Sequence, residues 1–89
     1  MAKKRRKLNK DFEKKIYSSK KNVELVMAKI YDIDDEDIQK EYMSAFKEVL
    51  YLYDELKQDY ENQGFNDNSE VLLTSYKTAF NLFESEFEI

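Results

Sequence analysis

The chain has 89 residues, 38% of them charged, with nineteen acids against fifteen Lys and Arg for a net charge of −4. It contains no Cys, His, Pro or Trp and a single Gly. Those absences remove disulfides, thiolate metal sites and cysteine nucleophiles, the commonest general base and transition-metal ligand, and the glycine-rich loops that cradle phosphates. A chain of this length makes one domain and buries only about 60–65% of the surface its unfolded form exposes, so every apolar face has to be used.

The charge is divided along the chain. Residues 1–22 hold ten Lys and Arg against two acids, a net of +8, and residues 23–89 hold five Lys against seventeen acids, a net of −12. The first element is therefore a basic arm, expected to be flexible over residues 1–7, ahead of a single helical domain at 8–89. Lys3, Lys4, Arg5, Arg6, Lys7 and Lys10, followed by Lys14 and Lys15, are candidate phosphate or anion contacts, which supply affinity without sequence choice. An acidic protein, an anionic membrane face or the acidic body of the same chain would satisfy these cations equally well. The acidic body opposes a duplex lying along it, and no helix-turn-helix, zinc-finger or RNP-type aromatic pattern is legible. Asp11, Glu13, Lys14 and Lys15 interrupt any apolar stretch behind the basic run, and no segment approaches the ~20 apolar residues a bilayer requires. The expectation is a cytoplasmic protein with no secretory signal and no membrane span.

Helical periodicity begins at about residue 8. Leu8, Phe12, Ile16, Val23, Val26, Met27 and Ile30 fall within roughly a 100° arc, with Ser19 diluting the middle of the stripe. Asn9 is placed to cap this first helix, predicted over 8–31. The acidic stretch 32–37 breaks the period, and Asp32 or Asp34 suits the N-cap of the next helix. Asp32, Asp34 and Glu36 alternate like the first ligands of a calcium loop. The pattern then fails, because Asp37 stands where the loop needs Gly and Met43 where it needs a bidentate Glu. No metal and no cofactor is expected.

The second helix is predicted over 35–61. Ile38, Tyr42, Ala45, Phe46, Val49, Leu52, Tyr53, Leu56 and Tyr60 form its main face, and Met43 and Leu50 widen it, which marks the central helix of a bundle. Gly64 suits the left-handed residue that closes it. Ser69 or Asn68 caps a third helix over 70–87, whose inner face is Leu72, Leu73, Tyr76, Ala79, Phe80, Phe83 and Phe87. Three amphipathic helices joined by two short loops predict an all-α, up-down-up three-helix bundle.

Most of the seven Tyr and six Phe lie on these inner faces, where packing is the first expectation; Tyr17 and Tyr51 lie off them. Val71, Leu82 and Ile89 make a second apolar line on the third helix, and Leu25 is an outlier on the first. Together with Tyr51, Val71, Leu82 and Ile89 are candidate protein-interface residues, for a partner protein or a homodimer. With no apolar pocket to raise a carboxyl pKa, no catalytic residue is indicated. The sequence thus predicts a non-enzymatic interaction or regulatory module, with a nucleic-acid accessory protein that uses the basic arm as the alternative. A third reading is an acidic decoy that imitates phosphates. No motif matches a known family closely enough to name one.

Overall fold

The structure, a computed structural model, describes residues 7–89 and consists of three helices, α1 (Lys10–Tyr31), α2 (Glu36–Gln63) and α3 (Ser69–Phe87). The helices run up, down and up, and α2 packs against both neighbours, as the breadth of its apolar face requires. Contact between α1 and α3 is much sparser. The molecule extends 57 × 21 × 18 Å.

Each helix end is set by a local hydrogen-bond requirement. The first amides of α1 lack partners within the helix, and the Oδ1 of Asn9 accepts from the Phe12 N–H at 3.0 Å, the expected cap. The helix therefore starts at Lys10 and leaves Leu8, expected in its apolar stripe, 67% exposed ahead of it. At the other end the Asp32 N–H still reaches back to the Ala28 carbonyl at 3.1 Å, and the Ile33 N–H to Ile30 at 3.1 Å. The chain has not left α1 by then. Neither Asp32 nor Asp34 caps the next helix: Asp35 does, its Oδ1 accepting from the Asp37 and Ile38 amides at 2.9 and 3.1 Å. The Gln39 side chain returns to cover the Ile30 and Tyr31 carbonyls at 3.2 and 3.1 Å, tying the start of α2 to the end of α1.

Gly64 ends α2 with φ 72° and ψ −163°. Its φ is positive as expected, but its ψ is extended rather than left-handed helical, a combination essentially confined to glycine. The reason lies across the chain. Gly64 is buried and pairs in a parallel bridge with Lys7, whose carbonyl accepts the Phe65 N–H at 2.6 Å. Asn66 then holds the turn: its Nδ2 donates to Asp59 Oδ2 at 2.8 Å and to the Gly64 carbonyl at 2.9 Å, and its Oδ1 accepts the Asn68 N–H at 2.8 Å. Asn68 occupies the N-cap of α3 without a side-chain bond. Ser69 does not cap it either: as the first helical residue its Oγ accepts the Asn66 N–H at 2.9 Å and its N–H donates to the Asn66 carbonyl at 3.0 Å, which closes the turn ahead of the helix.

The core is a column of aromatic and branched side chains. At one end Phe12 lies 5.6 Å from the Tyr60 ring and edge-on to Phe65 at 5.1 Å, so the half-buried loop residue Phe65 belongs to the packing. At mid-height Tyr53 and Tyr76 meet at 6.0 Å, and beyond them Phe46 is edge-on to Phe83 at 4.9 Å and 6.5 Å from Phe80. Tyr42 and Phe87 close the far end at 5.3 Å. Val23, Val26, Ile30, Val49, Leu56 and Leu73 fill the spaces between rings. Ile38, expected on the inner face of α2, is 45% exposed because it lies in the first turn, ahead of the packed length.

Ser19 is the informative exception to apolar burial. It is 4% exposed, its Oγ donates back to the Lys15 carbonyl at 2.8 Å, and its carbonyl accepts the Tyr76 hydroxyl at 3.3 Å. The small side chain gives the Tyr76 ring room between α1 and α3. Among the described residues no buried side-chain nitrogen or oxygen lacks a partner.

Replacing Gly64 by Ala is expected to cost roughly 1–3 kcal/mol, because a Cβ opposes the observed backbone angles and the pairing with Lys7. Urea denaturation measures it, and an unchanged midpoint would show that the bridge does not need this conformation.

Candidate functional site

The helices divide the surface into faces of different character. On α3 the buried residues Leu73, Tyr76, Phe80 and Phe83 define the inner side. The opposite side, set by the 3.6-residue period, comprises Val71, Thr74, Ser75, Thr78, Asn81, Leu82 and Ser85, all exposed and none charged. The charged residues of α3 are displaced to its flanks: Lys77 and Glu84 toward α1, Glu70 in the first turn on the same side of the helix as Lys77, and Glu86 toward α2, where it accepts the Tyr42 hydroxyl at 2.9 Å. Val71 and Leu82 are each 63% exposed, and a spacing of eleven residues puts them within about 20° of one another.

Two other interface candidates stand elsewhere. Ile89 lies beyond α3, past Glu88, whose left-handed backbone (φ 54°, ψ 51°) turns the chain off the helix axis. Its N–H returns to the Glu84 carbonyl at 3.1 Å, so it does not extend the line begun by Val71 and Leu82. Tyr51 is 61% exposed on the outermost line of α2, directly away from the buried Val49 and Leu56 and the half-buried Tyr53. Its hydroxyl donates to Glu55 at 2.8 Å, which holds the phenol above its ordinary pKa, and Lys47 and Asp54 share its side of the helix.

The basic candidates fall partly outside the described residues: Lys3, Lys4, Arg5 and Arg6 precede them. Lys7 is fixed by its bridge to Gly64, and its Nζ lies 6.0 Å from the Phe65 ring centroid. Its backbone is thus anchored to the body. Lys10 occupies the first turn of α1. The adjoining anchor is the Tyr60 hydroxyl, which accepts the Asn9 N–H at 3.0 Å and donates to Glu13 Oε1 at 3.0 Å.

The sparse contact between α1 and α3 leaves an open groove lined by Lys14, Lys15, Ser18 and Asn22 on one side and Lys77 and Glu84 on the other. Its floor is Ser19, Tyr76 and Phe80. Sequence reading missed it, since a groove arises only once two parallel helices are set side by side. The signal available was the interruption of the α1 stripe at Ser19. Tyr17, expected off its stripe, is 59% exposed with the Lys21 Nζ 5.0 Å from its ring centroid.

Among the described residues no three His, Cys, Asp or Glu are placed to hold a metal ion, and no helix is long and apolar enough to cross a membrane. The acids of 32–37 are accounted for by chain geometry: Asp32 ends α1 and Asp35 caps α2. Comparison with protein-family models, curated proteins and solved structures finds no match to this chain.

Burial raises the Tyr76 phenol from 10.0 to about 12, and burial also raises Tyr53. Below pH 10 folded and unfolded chains both hold the Tyr76 proton. Between pH 10 and about 12 the unfolded chain releases it while the folded chain keeps it, so stability falls as pH rises. The expected loss is about 1–2 kcal/mol from this side chain, and Tyr76→Phe should flatten the alkaline limb of a stability–pH profile. A profile equally steep in that variant would place the effect in other groups.

Proposed function

We propose that this chain is a non-enzymatic protein-interaction module of the cytoplasm that docks through the outward face of α3, with a second copy of itself as the partner that face fits. The observation that carries the reading is the absence of charge. In a chain with 38% charged residues, the seven exposed positions on the outward side of α3 between Val71 and Ser85 include none, the exposed Lys77 standing on its flank. The centre of a protein interface is depleted in Lys, Glu and Asp because each must be desolvated, whereas a solvated helix face in so charged a chain has no reason to avoid them.

The face is also self-complementary. Val71 and Leu82 lie about 16 Å apart along the helix, with Ser75 and Thr78 between them. A second α3 laid antiparallel sets Val71 of each copy against Leu82 of the other, about a two-fold axis. The hydroxyl residues at the centre are small enough for close approach and form hydrogen bonds without leaving a buried charge. One helix face makes a contact at the low end of the interface range, so the self-association is weak and concentration-dependent.

Sedimentation equilibrium from about 10 µM to about 1 mM protein tests the reading. The dimer fraction should rise with concentration, and Leu82→Lys should remain monomeric with unchanged helical circular dichroism. A wild-type chain that stays monomeric throughout, or a variant that dimerises equally well, overturns the assignment of α3 as the docking face.

A further inference from the structure

We infer that the outward face of α1 binds single-stranded nucleic acid, a second surface independent of the α3 face. Lys10, Lys14, Tyr17 and Lys21 recur at spacings of four, three and four, so they form one line along the helix, and all four are exposed. By the helical rise this line is about 16 Å long. It holds three cations around an aromatic ring, the pairing that single strands require: lysines for successive phosphates and a ring whose one face carries Lys21 at 5.0 Å, so that an unstacked base would lie on the other.

The rest of the molecule restricts ligands to this face. Glu13 lies beside Lys10, Lys14 and Tyr17 and is the one acid on this face, its Oε1 engaged by the Tyr60 hydroxyl at 3.0 Å. Asp11 stands in the first turn, where it complements the helix dipole. On the other side Lys15 and, across the groove, Lys77 add positive charge, with Glu84 as the opposing acid. The helices differ as wholes: α1 has six lysines and three acids, while α2 has three lysines and eight acids. A duplex, broad and uniformly charged, would meet those acids; a single strand can follow one helix. Lys7, whose carbonyl accepts the Phe65 N–H, adds a further cation ahead of the start of α1. An anionic membrane fits less well, because Tyr17 and Ser18 interrupt the lysines without making a continuous apolar strip.

The test is fluorescence anisotropy of labelled oligo(dT) of roughly 20 nucleotides with the full chain, at about 50 to 200 mM salt. Binding should weaken steeply with salt, and Lys14→Ala with Lys21→Ala should reduce the log–log slope by about 1.4. Tyr17→Ala should weaken binding by roughly 5- to 100-fold, with Tyr17→Trp retaining it and Lys40→Ala, on α2, leaving it unchanged. Circular dichroism confirms that each variant keeps its helices. The inference is overturned by no binding at the lowest salt, or by Tyr17→Ala binding as wild type. It is also overturned if duplex of the same length, heparin or anionic lipid vesicles bind as tightly and with the same dependence on Tyr17.

Discussion

The seam between α2 and α3 is the contact on which the rest of the molecule depends. Tyr42 on Phe87, Phe46 on Phe80 and Phe83, and Tyr53 on Tyr76 place aromatic pairs along its length at centroid separations of 4.9 to 6.5 Å. A small chain with no disulfide or metal has few apolar groups to spend, and a ring buries more area per residue than any aliphatic side chain. The edge-on and tilted geometries add about 0.5–1.5 kcal/mol per pair beyond area burial. With α2 and α3 held in this way, the inward sides of both are fixed. The uncharged line of α3 then has no remaining course but outward.

The first helix is attached by a different logic. At its start it is bolted to the far end of α2 by Phe12 on Tyr60, by the Tyr60 hydroxyl between Asn9 and Glu13, and by the Lys7–Gly64 bridge. At its end Gln39 holds its last carbonyls. Between these anchors it packs on α2, and it meets α3 chiefly where Tyr76 reaches the Ser19 carbonyl. A helix secured at both ends and along one side can carry a strongly basic outer face at little cost to stability, because few of those lysines need to be desolvated.

Three helices, their order and most of their inner faces were legible in the sequence, because a 3.6-residue apolar rhythm survives whatever the helix packs against. The ends were less so. Asn9 could be recognised as a cap since its partner, Phe12, is three residues away, but the choice among Asp32, Asp34 and Asp35 depends on how far α1 persists. Gly64 announced a turn without announcing that it pairs with Lys7, a residue 57 positions earlier. Ser19 read as a flaw in a stripe, and only the position of Tyr76 makes it a fitted one. Among the surface candidates, Val71 and Leu82 share a line as periodicity alone requires. Ile89 leaves that line because Glu88 takes a left-handed backbone that no local signal foretold.

The net charge of −4 describes no face of this molecule. Two dimensions of the body are 21 and 18 Å, and the screening length at physiological ionic strength is about 8 Å. A ligand on α1 therefore experiences the lysines beside it with little opposition from acids on the far side of α2. A contact on α3 experiences neither group strongly. Opposed charges on one small domain do not cancel in such a geometry; each face keeps its own sign. The folding constraint and the surface charge pattern thus have a common origin: burying the aromatic seam commits one side of each helix, and the residues left outside are basic on α1, acidic and mixed on α2, and uncharged along the outward line of α3.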